Sequence, residues 1–262
     1  MQGHRARKRF GQNFLVDTHY IDRIIDAVAP RPGDNLVEIG PGLGALTHRL
    51  IERATRIAAI EIDRDLAARL RETWGPTRLA LHEGDALAFD YAVLGENLRV
   101  VGNLPYNISS PLLFHLASFD SLLRDIHVML QREVVARMAA APGTSDYGRL
   151  SVMLQAKFAV ARLFIIPPGA FQPAPKVDSA FVRLVPLGAA RPAITDERLF
   201  SRVVGAAFGQ RRKTLRNTLK GVLEDADYAA LGIDPQIRAE QLDLASFIRL
   251  ADRTTARQRD SA

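Results

Sequence analysis

The chain contains no cysteine. Disulfides, thiolate metal sites and a cysteine nucleophile are therefore excluded. Aromatic residues make up only 7% of the chain, with a single tryptophan. The 6 histidines show no metal-ligand spacing, so no metal is expected. No apolar run approaches the ~18 residues that a membrane span needs, and no membrane partner is expected. The basic N-terminus is not followed by the apolar segment of a signal peptide. A reducing, cytoplasmic location is expected.

What is present is enough to build a core. Hydrophobic residues are 47% of the 262, which suits a main domain with a small appendix. Asp17 reads as the N-cap of a helix over Thr18 to Ala29, which Pro30 and Pro32 stop. Apolar runs at Leu36–Ile39, Arg56–Ile60, Arg78–Leu81, Leu98–Gly102 and Asp125–Leu130 read as strands. Helical stretches such as Ala45 to Arg53 alternate with them. That alternation implies a parallel sheet with helices on both faces. Ala159–Ile166 and Ser179–Val185 flank a proline-rich turn and read as an antiparallel hairpin at the sheet edge. Ala141–Gly148 reads as a loop.

Beyond Pro186–Pro192 the pattern turns helical, over Asp196–Phe208, Lys213–Glu224 and Leu244–Arg253. The polar tail Thr254–Ala262 is expected to fray. The expected division is a basic arm over 1–16, an α/β domain over 17–187 and a helical domain over 188–262.

Asn103-Leu104-Pro105-Tyr106 ends the run Leu98–Gly102. Asn103 offers a side-chain carbonyl acceptor. Pro105 has no N–H and fixes its own φ. It also favours an extended Leu104, which can turn the Leu104 carbonyl outward. Tyr106 adds a face for stacking. Two acceptors and one aromatic plate suit the exocyclic amine of a purine lifted out of its stack.

A second motif, Val37-Glu38-Ile39-Gly40-Pro41-Gly42-Leu43-Gly44, joins a strand to a helix. Its glycines permit a tight turn and close approach to a ligand. Glu61 follows Gly40 by about twenty residues, the separation expected of an acid that binds ribose hydroxyls. The spacing is G-x-G-x-G rather than the dinucleotide G-x-G-x-x-G, and Glu38 precedes it. That combination favours S-adenosylmethionine over NAD. Asp85, in Gly84-Asp85-Ala86, can accept from the cofactor's adenine amino group. Glu38, Glu61, Asp85 and Asn103 thus fall at or near the ends of four successive strands, where ligands of open α/β sheets bind.

The net charge is +6. Its clustering matters more than its size. Arg198 to Lys220 holds seven basic residues and no acid. The N-terminal arm carries His4, Arg5, Arg7, Lys8 and Arg9 before any acid. Two acid-free basic clusters flanking a catalytic domain suit phosphate binding.

With these segments in order, the chain closely resembles the bacterial-type small-subunit ribosomal RNA adenine N6,N6-dimethyltransferase family over nearly its whole length. The resemblance also rests on Lys8–Leu15, Gln131–Val134, Phe171–Ser179 and Phe208–Asn217. It implies a Rossmann-like S-adenosylmethionine-dependent methyltransferase fold with a small C-terminal all-helical domain. It implies cofactor contacts at Asn13, Leu15, Gly40, Glu61, Asp85 and Asn103. It implies adenine binding by Asn103, Leu104, Pro105 and Tyr106, with Phe171 as a second aromatic wall. Arg211, Arg212, Lys213 and Arg216 are the expected RNA contacts. The implied activity is dimethylation of two adjacent adenosines in small-subunit ribosomal RNA, with a role in subunit maturation. The expected partner is that RNA or the immature small subunit, met by a monomer.

Three other readings use the same residues. One is a large-subunit ribosomal RNA or DNA adenine methyltransferase. Another is a non-catalytic ribosome-assembly factor, against which the intact Asn103–Tyr106 corner and Glu61 weigh. An NAD-dependent dehydrogenase is disfavoured by the glycine spacing.

Overall fold

The computed structural model describes residues 12–260. Most of the expected basic arm, Met1–Gly11, lies outside the described residues. The chain divides into two compact units, Met1–Val135 with Ala159–Gly188, and Ala136–Phe158 with Ala189–Ala262.

The first unit opens with β1 (Phe14–Leu15) and α1 (Thr18–Val28). Asp17 caps α1, accepting from the His19 amide, and Ile21, Ile24, Ile25 and Val28 bury its apolar stripe. Next come β2 (Asn35–Ile39), α2 (Ala45–Ala54), β3 (Ile57–Glu61), α3 (Arg64–Arg78) and β4 (Leu79–Glu83). They are followed by β5 (Leu98–Asn103), α4 (Ser109–Ala117), β6 (Leu123–Gln131) and α5 (Arg132–Met138). After α6 (Arg149–Gln155), which belongs to the second unit, come β7 (Phe158–Ile166), β8 (Phe171–Gln172) and β9 (Ser179–Pro186).

Seven strands form one sheet in the order β4-β3-β2-β5-β6-β9-β7. The first five run parallel, and β9 returns antiparallel to β6. β7 lies beside β9 at the edge. The order reverses between β2 and β5, which creates a crevice at their carboxyl ends. A side chain at Gly102 of β5 would close it. A Cβ there would stand 2.6 Å from the Ile39 carbonyl of β2. A separate pair, β1 with β8, sets Leu15 opposite Phe171. These two-residue strands are too short for any alternation to announce them.

The second unit takes Ala136–Phe158 from mid-chain, which differs from the contiguous 188–262 expected. The reason is packing: Tyr147, Val152 and Ala156 share a buried cluster with Phe200, Leu215 and Phe247. Its further helices are α7 (Glu197–Ala207), α8 (Leu215–Thr218), α9 (Asp225–Leu231) and α10 (Leu244–Asp260). The single helix expected over Lys213–Glu224 is instead α8 and a turn. Glu224 starts a new helix there, its amide donating to Asp227 at 2.9 Å. The tail expected to fray is helical to Asp260. Thr254 and Thr255 are buried, and Arg253 and Arg257 pair with the buried Asp227. Among the described residues no helix is long and apolar enough to cross a membrane.

An ion cluster ties the amino ends of the central strands. Arg99, near the start of β5, donates to Asp125 of β6 at 2.9–3.2 Å and to Asp34 at 2.7 Å. It also donates to the Val28 carbonyl that ends α1 at 2.7 Å. Burial alone would raise both carboxyls. The Arg99 hydrogen bonds and charge outweigh it at Asp34, and His127 and Arg99 together outweigh it at Asp125. Both acids are held below their ordinary value. Their contribution is therefore present above about pH 4 and lost as pH falls through the depressed values. Arg99→Met takes the arginine from the buried Asp125 and leaves Asp34 with Arg124 and the Arg31 amide; it is expected to cost about 3–5 kcal/mol at pH 7 in urea unfolding. The gap to the wild type should narrow towards pH 3. A gap independent of pH would remove the cluster from this account.

Candidate active site

The crevice holds a cavity of about 290 Å³, at the small end of ligand sites. Its walls are the carboxyl ends of β2, β3 and β5, the loop after β4, and the segment Gln12–Leu15. Asn13, Leu15, Gly40, Glu61, Asp85, Asn103, Leu104, Pro105 and Tyr106 all line it. Residues distant in sequence are therefore brought together as the motifs imply. Phe171 is not among the lining residues. It is 4% exposed and belongs to the core cluster with Leu15, Ile166 and Phe181. Pairing of β8 with β1 sets it opposite Leu15, which does line the cavity. The aromatic that shares the cavity with Tyr106 is Phe14.

The glycine loop is shaped by backbone and by Phe14. Gly42 has φ +59°, and a Cβ on it would meet the Phe14 ring at 3.1 Å. Only glycine accepts both conditions without strain. Glu61 then ties the loop to β3. Its Oε2 accepts from the Gly42 amide at 3.1 Å and its Oε1 from the Asp63 amide at 2.9 Å. Burial raises the Glu61 carboxyl, and these amide bonds work against that. Each oxygen keeps a further lone pair for a hydroxyl donor.

Glu38 is 2% exposed and accepts from Thr47 Oγ1 at 2.6 Å. Burial pushes its carboxyl up to about 8, opposed by the Thr47 bond and reinforced by Glu61. Near neutral pH it is therefore largely uncharged. Asp85 is exposed, with Oδ1 accepting from the Leu87 amide at 2.9 Å. The Tyr91 hydroxyl steadies this loop by donating to the Ala86 carbonyl at 3.2 Å.

The Asn103–Tyr106 corner is held from several sides. The Leu104 amide donates to Met129 of β6 at 3.2 Å. Ser109 Oγ donates to the Pro105 and Tyr106 carbonyls at 3.1 and 3.2 Å. Asn103 Nδ2 donates to the Asn13 carbonyl at 2.7 Å. With Nδ2 turned to the Asn13 carbonyl, Asn103 keeps Oδ1 for a ligand. The Leu104 side chain is buried, 1% exposed, so the main chain is what Leu104 offers the cavity.

Two supporting residues escaped the sequence reading. Ser109 had a signal, since Ser109-Ser110-Pro111 is a helix-start pattern. Thr47 had none, because its partner is fixed only by folding. The basic residues also divide. Arg211 pairs with Glu240 and donates to the Ser145 carbonyl, and Arg216 pairs with Asp225 at 2.8 Å. Arg212 and Lys213 are exposed and have no ion pair among the described residues.

The arrangement fits S-adenosylmethionine. Gly40 and Gly42 leave room beside the main chain, and acids stand ready for the ribose and adenine donors. The comparisons with known proteins agree. A family profile described as "Ribosomal RNA adenine dimethylase" matches residues 3–256. A protein of Aromatoleum aromaticum named "Ribosomal RNA small subunit methyltransferase A" is 62% identical over 98% of this chain and 97% of its own. Its namesake in Thiobacillus denitrificans is 58% identical over 93% and 96%. The solved dimethyladenosine transferase of Plasmodium falciparum is 26% identical, with a TM-score of 0.77 over 90% of this chain and 95% of that one. The 23S rRNA methyltransferase ErmE is 26% identical, with a TM-score of 0.68 over 93% and 100%. An S-adenosylmethionine-type fold, the cavity and these likenesses meet in one assignment: the chain belongs to the ribosomal RNA adenine dimethylase family.

Proposed function

We propose that the chain dimethylates the N6 amino group of adenosines in small-subunit ribosomal RNA, using S-adenosylmethionine. The observation that carries this is the amide of Asn103, whose Nδ2 is turned to the Asn13 carbonyl and whose residue lines the cavity. The curated relatives named above support the small subunit over the large one. The chain is read as a cytoplasmic monomer that acts on the immature subunit.

Bound S-adenosylmethionine supplies an activated methyl group. The chain's own task is to prepare the nucleophile. The lone pair of an adenine amine is delocalised into the ring. Acceptance of its two N–H bonds by Asn103 Oδ1 and the Leu104 carbonyl favours a pyramidal nitrogen and stabilises developing positive charge. Tyr106 offers a face for stacking, worth about 1–3 kcal/mol per base. That offsets part of the few kcal/mol needed to extrude a paired base. Glu61, Asp85, Asn13, Leu15 and Gly40 hold the cofactor. In the helical unit, Arg212 and Lys213 neutralise phosphates, with Arg211 and Arg216 contributing less because acids already engage them.

Asn103→Ala is expected to lower methyl transfer at least a hundredfold, the scale for loss of a preorganised transition-state contact. Cofactor affinity, measured by calorimetry, should fall much less. Full activity in that variant would remove the central role of the corner. Replacing both Arg212 and Lys213 with alanine should flatten the slope of log K against log salt by about 1.4–1.8, or 0.7–0.9 per phosphate. The pair Arg211→Ala and Arg216→Ala should flatten it less. Equal slopes for wild type and the Arg212, Lys213 variant would reduce that cluster to a solvated face.

A further inference from the structure

Tyr106 lies in the turn between β5 and α4, half-buried on the cavity wall. A phenol ring turns about two torsions, and a half-exposed ring has little packing to fix them. A stacking plate whose plane wanders loses much of its value, because the base must be oriented as well as held.

The Tyr106 hydroxyl lies 2.6 Å from Ser179 Oγ. Ser179 is the first residue of β9, 0% exposed, and stands opposite Gln131 of β6. The residue before it is also tied to the sheet, since the Asp178 carbonyl accepts from the Arg132 amide at 3.0 Å. Ser179 is thus a fixed point in the sheet against which the Tyr106 ring can be held. Its neighbours along β9, Ala180, Phe181 and Val182, are buried and apolar. A hydroxyl in such a position costs stability unless it is hydrogen-bonded, and its bond goes to the cavity-lining phenol. Burial raises the Tyr106 phenol, against an opposing effect of Ser179, so the ring stays neutral and its hydroxyl keeps its proton.

We infer that Ser179 is a positioning residue for the reaction: by its bond to the Tyr106 hydroxyl it sets the plane of the ring on which the target adenine stacks. This deepens the function proposed above and rests on Tyr106 being the stacking plate. Ser179 touches neither substrate nor cofactor. Its effect passes through one hydrogen bond, which either partner's removal abolishes.

That property gives the test. Ser179→Ala, Tyr106→Phe, the double variant and Tyr106→Ala are compared on immature small ribosomal subunits with radiolabelled cofactor. Each of the first two is expected to lower kcat/KM about five- to tenfold, the scale of one net hydrogen bond. The double variant should lose no more than either alone, because the same bond is removed. Cofactor affinity, read by calorimetry, should stay at the wild-type value in all of them. A serine that merely supports the fold would instead lower cofactor affinity and melting temperature along with activity, and that result overturns the inference. So do multiplying losses in the double variant. Wild-type rates for Ser179→Ala beside a crippled Tyr106→Ala sink the inference yet leave the stacking reading standing. Full activity in Tyr106→Ala sinks both.

Discussion

A primary amide has a donor end and an acceptor end, and a binding site must decide which of them faces its ligand. Here one backbone carbonyl decides. Asn13 O can only accept, so Asn103 turns Nδ2 towards it at 2.7 Å, from 90 positions further along the chain. The acceptor is what remains for a base. An exocyclic amine satisfies that acceptor, whereas a base with a keto oxygen at the same place would set acceptor against acceptor. Selection for an amino purine therefore depends on where the Gln12–Leu15 segment lies. That segment is held by the β1–β8 pair and by the Val16 amide, which donates to Ala170 at 2.9 Å. The short strands that looked incidental are the means by which a distant carbonyl reaches Asn103.

The two acids flanking the glycine loop show how burial divides like groups into different roles. Glu38 has one short bond, from a threonine hydroxyl, and burial pushes it up to about 8. Glu61 is 4% exposed, but two backbone amides aim at its oxygens and favour its charged form. Two like charges close together in a dry site disfavour each other. Burial raises both carboxyls, but at Glu61 the two amides oppose it, whereas Glu38 has only a threonine hydroxyl. Glu61 is the one placed where ribose hydroxyls need acceptors.

The sheet and the site motifs were legible in the sequence because the strands are short runs dominated by apolar residues, with Glu61 and Asn103 closing β3 and β5. Leu98–Gly102 announces β5 and Asn103 marks its end. The expected strand bounds lie within a residue or two of those observed. What could not be read was pairing across long separations. Phe171 sits in a proline-rich motif, and nothing there shows that its strand partner is Leu15, far away in sequence. Likewise Val152 buries against a helical cluster whose other members lie after Ala189. A reading by contiguous stretches cannot see such an insertion. Helix breaks were missed for a more local reason: Glu224 and Asp227 form a capping box, which the surrounding apolar spacing masked.

Charge shows the same limit in sharper form. Counted along the chain, Arg198–Lys220 has no acid to balance it. Folding supplies acids from outside that stretch. Glu240 reaches Arg211 and Asp225 reaches Arg216. An exposed pair contributes little to stability, but it lowers what an arginine can offer a phosphate, because the acid must first be displaced. Electrostatic attraction to RNA is then set by the cations that folding leaves unneutralised. In this helical unit Arg212 and Lys213 meet that condition, side by side and neither paired with an acid among the described residues.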